Sequence, residues 1–172
     1  GVAVMTLYAF AIKNWQRDKA EVDFLWNLFD QWFDEKADEL MKEGAKFRVI
    51  GNRAGIPKGS LQKIERVEAE SADNDGLLVQ LALNYDGIDE VVRATRSLAE
   101  QVKAGTLDAA DITEETLEQA LDTATAPPLD VLIRTGMDEN VGTDGQFTVW
   151  RSSSFLQLQS AQAVCVATPI RW

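Results

Sequence analysis

Short apolar segments that alternate with amphipathic stretches constrain the fold of this chain more than any other feature. Residues 2–10, 77–83 and 130–134 each have the length and the branched or aromatic content of a buried strand, and residues 46–50 form a shorter one. Between them, apolar residues recur every three or four positions, as in a helix that buries one face. Strands separated by helices usually run in parallel. The pattern therefore predicts an α/β fold with a parallel central sheet flanked by helices.

The helical spacing predicts helices over residues 21–43, 59–72, 88–104 and 113–121. Gly44 is placed to cap the first helix, and Asp111 with Glu114 has the spacing of a capping box for the last. The continuous apolar run of residues 2–10 predicts a strand covered on both faces. Residues 137–150 show the weakest apolar pattern, which predicts a mobile loop.

Length and composition limit the class of protein. A chain of 172 residues is the size of one domain, which we expect to occupy residues 1–172. The net charge of −11 disfavours nucleic acid as a partner, because binding phosphates along a strand requires a basic surface. Histidine is absent, which excludes mechanisms built on imidazole. The lone Cys165 cannot form an internal disulfide and is typical of a reducing compartment such as the cytoplasm.

Both ends of the chain adjoin apolar segments. Gly1 leads directly into the first predicted strand, and Trp172 follows an apolar stretch without a polar tail. We therefore expect a fragment, or a chain shortened relative to its relatives.

Polar and aromatic residues follow three of the predicted strands, namely Asn14 with Trp15, Asn84 with Tyr85, and Arg134 with Thr135. Ligand sites in parallel sheets gather at the carboxyl ends of the strands. Arg134, with Arg151 and Ser153 further along, suits a diphosphate, because guanidinium groups match phosphate oxygens in a bidentate geometry. The alternatives are two ordinary surface arginines and, for Asn14 and Trp15, a capped turn with a packed indole.

The predicted helix over residues 21–43 carries a stripe of aromatic side chains: Phe24, Trp26, Phe29, Trp32 and Phe33. Such a stripe either packs in the core or lines an apolar ligand cavity. The acidic pairs Asp34-Glu35 and Glu114-Glu115 lie on faces that the same spacing leaves to solvent. We therefore assign no metal ligand.

Several segments, taken in order, resemble the cis-prenyltransferases, the undecaprenyl diphosphate synthase family. The matching residues cover most of the chain and are Leu7-Tyr8-Ala9-Phe10, Lys13-Asn14-Trp15-Gln16-Arg17, Glu21-Val22, Arg48-Val49-Ile50-Gly51, Leu81 to Gly87, Asp89 to Val92, Asp130 to Thr135, and Arg151 with Ser153. The resemblance implies that the sheet and its helices enclose an apolar tunnel for the growing prenyl chain.

The resemblance also implies an activity, the transfer of a prenyl group. In the family an allylic diphosphate ionises, isopentenyl diphosphate attacks the cation, and loss of a proton leaves a cis double bond. Mg2+ and arginines stabilise the departing diphosphate, while apolar walls keep water from the cation. The implied partners are prenyl diphosphates and a second subunit, either in a homodimer or in a heteromer with a related subunit. Peripheral association with a membrane is also expected.

Site residues are carried over position by position. The resemblance makes Asn14 and Arg17 catalytic candidates. It makes the following residues substrate-binding candidates: Trp15, Glu21, Arg134, Arg151 and Ser153. It places these side chains along the tunnel: Ala9, Trp26, Phe29, Phe33 and Leu77. Because Trp26, Phe29 and Phe33 fill space that smaller residues would leave open, we expect a short product.

The sequence also departs from the family pattern. The first strand of the family and its Asp-containing phosphate loop are absent, Ala11 and Lys13 replace a loop Ser and Glu, and Val164 stands where the family has a Glu that helps hold Mg2+. The Mg2+ implied by the resemblance thus has no identifiable ligand here. Three readings stay open: a short-chain prenyltransferase, a relative that cyclises or irregularly couples prenyl diphosphates, and a catalytically silent subunit.

Overall fold

The computed structural model describes residues 1–135 and 152–168, which contain five strands and five α-helices. The strands are β1 (Val4–Ala11), β2 (Lys46–Ile50), β3 (Leu78–Tyr85), β4 (Val131–Arg134) and β5 (Val164–Ala167). The helices are α1 (Lys19–Glu35), α2 (Ala37–Lys42), α3 (Lys58–Glu70), α4 (Gly87–Ala104) and α5 (Glu114–Gln119). Three 3-10 turns, Ile12–Gln16, Ala109–Asp111 and Gln159–Ala161, complete the regular structure of this part of the chain.

All strand pairs within the described residues are parallel. The main sheet has the order β1-β3-β2, and β4 pairs with β5 in a second, two-stranded sheet. The predicted α/β class with a parallel sheet and flanking helices is therefore confirmed. The first four strands were predicted, but β5 was not, because its alternating small and branched residues are too few to stand out from a loop.

The core lies on both faces of β3. Side chains of Val79, Leu81 and Leu83 join the larger apolar cluster, which packs under α1 and α3. Ala82 and Tyr85 join a smaller cluster on the opposite face with Ile50 and Leu156. Successive side chains of a strand point to opposite faces, so β3, which lies between β1 and β2, is buried on both.

The prediction of one long helix over residues 21–43 is wrong, because the chain forms two helices with a break at Lys36. Lys36 keeps a right-handed backbone, but its φ of −106° departs from the value near −63° of a regular helix. The Arg66 guanidinium donates to the Phe33 carbonyl at 3.1 Å, and this carbonyl would accept the Ala37 N–H in a continuous helix. A side chain from α3 thus competes with the helical hydrogen bond at the break.

Three smaller expectations also need correction. The N-cap of α5 is Thr113, which exchanges hydrogen bonds with Thr116, whereas Asp111 lies in the preceding 3-10 turn. The strand predicted to be covered on both faces leaves Met5 and Leu7 exposed in β1, because β1 lies at an edge of the main sheet. In the aromatic stripe, Phe24 is 65% exposed and belongs to neither core nor cavity, since its position lies off the buried face of α1.

The loop predicted over residues 137–150 lies outside the described residues. Within the described ranges, no helix combines the length and the apolar character needed to cross a membrane.

Candidate functional site

The turn that follows β1, with the residue that ends it, carries three of the candidate residues: Asn14, Trp15 and Arg17. Asn14 caps it, since its Oδ1 accepts the Ala11 N–H at 2.7 Å, and the Asn14 carbonyl accepts the Arg17 N–H at 3.1 Å. These bonds hold Ile12–Gln16 as a compact 3-10 turn. The geometry matches the capped-turn alternative for Asn14 and places Trp15 and Arg17 on one rigid piece of chain.

Arg17 and Glu21 form an ion pair across one turn of chain at the start of α1. Both side chains are about half exposed, so the pair contributes little to stability. Their charged groups remain open to solvent, and thus to a ligand at this edge of the sheet. The catalytic and substrate-binding roles assigned to them remain predictions.

The ends of β1 and β3 meet at Trp15. The indole Nε1 of Trp15 donates to the Asn84 Oδ1 at 2.7 Å, and Asn84 is the penultimate residue of β3. Trp15 also stacks on Trp26 with a ring-centre distance of 5.7 Å and contacts the Phe10 ring edge-on at 5.0 Å. The predicted convergence of these two strand ends is therefore observed.

Residues 152–156 reach the same sheet from far along the chain. The Tyr8 hydroxyl lies 3.3 Å from the Ser153 carbonyl and 3.2 Å from the Tyr85 carbonyl, and it can donate its single proton to one of them at a time. The Tyr8 ring stacks on Phe155 with centres 4.6 Å apart. Ser153, named in the sequence as a substrate-binding candidate, is thus brought beside the third residue before the end of β1.

Close backbone approach holds this segment in place. The Gly87 N–H at the start of α4 donates to the Ser154 carbonyl at 2.8 Å. A Cβ at Gly87 would lie only 2.3 Å from that carbonyl oxygen, so the contact requires glycine. Ser153, Ser154 and Leu156 all have positive φ, a conformation that costs free energy in residues with a Cβ and is typical of ligand-binding segments.

Arg134 ends β4 and is exposed. Burial raises the pKa of the Tyr8 hydroxyl to about 12, with Asp86 adding to the rise, while the positive charge of Arg134 opposes it. The positive charge of Arg134 thus acts on the Tyr8 hydroxyl, which also neighbours the Ser153 carbonyl. Arg151, the second arginine of the predicted diphosphate site, lies outside the described residues.

The tunnel candidates all belong to the larger apolar cluster. Trp26 and Phe33 are buried, and Ala9, Phe29 and Leu77 are partly buried against them. Trp26 contacts Phe10 and Phe29 at ring-centre distances of 5.1 Å and 5.6 Å. Aromatic rings thus fill the space between β1 and α1 next to Trp15. A tunnel bounded by these residues remains a prediction.

A buried polar network supports the opposite face of the site. Glu90, 1% exposed, accepts from the Tyr85 hydroxyl at 2.7 Å, from the Asp122 N–H at 2.9 Å and from Gln159 at 3.1 Å. Arg93 binds both carboxylate oxygens of Asp122, at 2.9 Å and 2.7 Å. The network joins β3, α4, the 121–123 turn and the segment that follows Ser153.

The described residues do not fit a bound Mg2+. No group of three or more acidic, Cys or His side chains capable of sharing an ion occurs within residues 1–135 and 152–168. Val164, at the family's Glu position, starts β5 and is exposed beside Val131.

Two site residues escaped the sequence reasoning although they lie in the matching motifs. Tyr8 was placed in an apolar strand and a matching motif, and Phe155 continues the match after Arg151 and Ser153, but neither was assigned a role in the site. Their contact joins residues far apart in sequence, and no local pattern signals it. The available signal was weaker: Tyr8 is the only residue with a side-chain hydrogen-bonding group between Leu7 and Ala11.

Comparison with known proteins identifies the class. The model of the family described as "Putative undecaprenyl diphosphate synthase" matches residues 1–172. The isoprenyl transferase of Bacillus subtilis is 38% identical over all of this chain and 62% of its own length. The chloroplastic (2Z,6Z)-farnesyl diphosphate synthase of Solanum lycopersicum is 37% identical over 88% of this chain and 51% of its own length. The chain belongs to the undecaprenyl diphosphate synthase family.

The fold comparison agrees with the sequence comparison. The crystal structure of lavandulyl diphosphate synthase from Lavandula x intermedia, in complex with dimethylallyl diphosphate, superposes with a TM-score of 0.89 at 29% identity. The match covers 98% of this chain and 69% of that structure. The resemblance to cis-prenyltransferases inferred from the motifs is thus confirmed. The chain spans between half and about two thirds of the length of these relatives.

Proposed function

We propose that the protein transfers a prenyl group from an allylic prenyl diphosphate to isopentenyl diphosphate, with a short-chain product. The observation that carries the proposal is the meeting of the Ile12–Gln16 turn with the end of β3 through Trp15 and Asn84. The Ser153 segment, held by Tyr8, lies on the face of the smaller apolar cluster of the same sheet, and the charge of Arg134 acts on Tyr8 there. Cationic and hydroxyl groups next to an aromatic wall suit a molecule with a diphosphate head and an apolar tail.

In the proposed reaction, the bond between C1 of the allylic unit and its diphosphate oxygen breaks and diphosphate leaves. C1 then bonds to C4 of isopentenyl diphosphate, and a proton leaves C2 as the new double bond forms. Arg134, Arg151 and Ser153 would bind the diphosphate of the attacking unit, and Asn14, Trp15, Arg17 and Glu21 the allylic substrate. The rings of Phe10 and Trp26 would exclude water from the cation.

The first test is to incubate the full-length protein with farnesyl diphosphate and radiolabelled isopentenyl diphosphate, with Mg2+ and with a chelator. We expect labelled prenyl diphosphate and one released diphosphate per condensation. Arg134→Ala should lower kcat/KM by about tenfold or more through loss of a charge-assisted contact. Arg48→Ala is the matched control, because Arg48 lies in β2 and bonds Thr125 instead.

Retained binding of both substrates without turnover would contradict a transferase and support the silent subunit. Isothermal calorimetry with an unreactive thio-analogue of farnesyl diphosphate would measure that binding.

The short product is proposed from the aromatic packing around α1. Trp26→Ala or Phe29→Ala should open space beside Phe10 and shift the product distribution towards longer chains. Phe24→Ala is the control, because Phe24 is largely exposed on the same helix. Chain lengths would be read by chromatography of the dephosphorylated products. Long polyprenyl products from the unaltered protein would overturn the proposal.

A second candidate is irregular coupling of two allylic units or cyclisation. It is favoured by the similarity to lavandulyl diphosphate synthase and by the changes at Ala11, Lys13 and Val164. Incubation with dimethylallyl diphosphate alone distinguishes irregular coupling from condensation with isopentenyl diphosphate. Irregular coupling of two five-carbon units would give a ten-carbon diphosphate, one released diphosphate and a proton. Farnesyl diphosphate consumed without incorporation of isopentenyl diphosphate would indicate a cyclase.

We further propose that the protein works in the cytoplasm as a homodimer or with a related subunit, and meets membranes only peripherally. Support comes from the two-stranded sheet. Val131 faces Val164 and Ile133 faces Val166, and all four are exposed. Four branched apolar side chains on one face are typical of a surface that another protein covers.

A further inference from the structure

Both the backbone conformation and the side-chain hydrogen bonds of Asn84 are constrained at the edge of the site. It is 5% exposed and has φ +49°. Residues with a Cβ rarely adopt this left-handed conformation, and Asn tolerates it better than most. Asn84 is neither free to move nor replaceable by an arbitrary side chain.

The backbone of Asn84 forms a bulge in β3. Phe10 pairs with Leu83 and Ala11 with Tyr85, so Asn84 is an extra residue on the β3 side. An extra residue reverses which face the following side chain occupies. Tyr85 consequently joins Ala82 on the face of the smaller cluster, and the Asn84 side chain is left to point at the neighbouring loops.

The amide of Asn84 uses both of its N–H donors and its oxygen on two separate segments. Its Oδ1 accepts from the Trp15 Nε1 at 2.7 Å. Its Nδ2 donates to the carbonyls of Asn52 and Ala54 at 2.7 Å and 3.0 Å. Because the partners are one N–H and two carbonyls, only this orientation of the amide satisfies all three.

Trp15 is fixed at its edge by Asn84 and at its faces by rings. Trp26 and Phe10 pack on it, yet 37% of its surface stays exposed. Stacking alone allows a ring to slide, whereas a short N–H···O bond sets its position. The hydrogen bond to Asn84 therefore sets where the Ile12–Gln16 turn lies relative to the loop at residues 51–55.

We propose that Asn84 is a positioning residue: its side-chain amide ties Trp15, and with it the turn that carries Asn14 and Arg17, to the loop that follows β2. A turn held in place before binding should bind the allylic diphosphate more tightly. This kinetic consequence rests on the proposed function. The structural consequence, a turn and a loop held by one amide, is independent of any activity.

Three variants of the full-length protein separate the parts of this contact. Asn84→Gly keeps the left-handed backbone but removes the amide. Asn84→Asp keeps the acceptor for Trp15 but loses the two donors. Trp15→Phe keeps an aromatic ring but loses the N–H.

Hydrogen–deuterium exchange by mass spectrometry reads the structural consequence. Asn84→Gly should raise the exchange rate about tenfold in peptides covering residues 11–17 and 51–56, while peptides from α3 and α4 stay unchanged. Trp15→Phe should affect only residues 11–17, and Asn84→Asp mainly residues 51–56. Faster exchange throughout the sheet in Asn84→Gly would make Asn84 a general stability residue and overturn the proposal.

A double-mutant cycle reads the kinetic consequence. Asn84→Gly and Trp15→Phe should each raise KM for the allylic diphosphate about fivefold, with kcat changed less, and the double variant should raise it no further. Effects that multiply in the double variant would overturn the kinetic part. An unaltered protein that neither binds nor converts prenyl diphosphates would refute the proposed function, whereas the exchange measurements would still decide the role of Asn84.

Discussion

The two tyrosines of this chain lie beside the site in different surroundings. Tyr8 is partly buried against Phe155, and Tyr85 is fully buried with its hydroxyl on Glu90. Burial raises the pKa of both hydroxyls, and the Glu90 carboxylate raises that of Tyr85 further. Both side chains therefore stay neutral and act as hydrogen-bond donors throughout the physiological pH range.

Alkaline pH should test these surroundings. The pKa of Tyr8 rises from 10.0 to about 12 on folding, so the folded state holds the proton more tightly than the unfolded state. The resulting stability is fully present below pH 10.0 and is lost as the pH rises towards about 12. We expect no tyrosinate absorbance near pH 10.0 in the folded protein, and a weaker alkaline loss of stability in Tyr8→Phe. Tyrosinate forming in the folded protein near pH 10.0 would contradict this description.

Helix α4 is held in place at both of its ends and by an ion pair along its length. Asp86 caps its first turn by accepting from the N–H groups of Ile88 and Asp89, and Gly105 ends it in a left-handed conformation. Arg93, in its second turn, binds Asp122, whose Oδ2 also accepts the Gly51 N–H at 2.8 Å. The pKa of Arg93 is raised, chiefly by the hydrogen bonds to Asp122. One carboxylate thus joins α4 to the loop after β2.

Replacing Asp122 should therefore cost more than a surface change. Asp122→Ala leaves Arg93 with Asp89 as its carboxylate partner, and it leaves the Gly51 N–H without its acceptor. We expect a loss of about 2–3 kcal/mol in the free energy of unfolding. Asp122→Asn should lose less, because the amide oxygen still accepts. Urea unfolding would measure both, with the exposed Asp111→Ala as a control expected within about 0.5 kcal/mol of the parent. Equal, small losses in all three would show that the carboxylate is not a structural link.

The proposed dimer would form through the exposed sheet of β4 and β5. The sheet's four branched side chains occupy one face, as on a surface that a partner covers. Ile133→Lys and Val166→Lys should shift the full-length protein from dimer to monomer in sedimentation velocity. Ile88→Lys is the control, because Ile88 is equally exposed on α4. A protein that stays dimeric in Ile133→Lys and Val166→Lys would place the interface elsewhere.

The apolar pattern predicted four of the five described strands, three of the described helices, and the strand ends that carry Trp15 and Asn84. Helices and strands have different apolar periods, so alternating segments predicted parallel strands and their helices. Residues after successive parallel strands share one edge, which brought Trp15 and Asn84 together as expected. The motifs that matched the family come from these same strand ends.

The tertiary structure decided what depends on contacts between distant segments. Tyr8 meets Ser153 across 145 positions, and the Arg66 side chain from α3 competes for the carbonyl where the predicted long helix breaks. The extra residue Asn84 reverses the face of Tyr85 and so forms the pair with Glu90. A periodic pattern indicates which face of a strand or helix a residue prefers. A bulge changes that face, and a competing donor breaks a helix, and both depend on a partner segment that the local sequence does not contain.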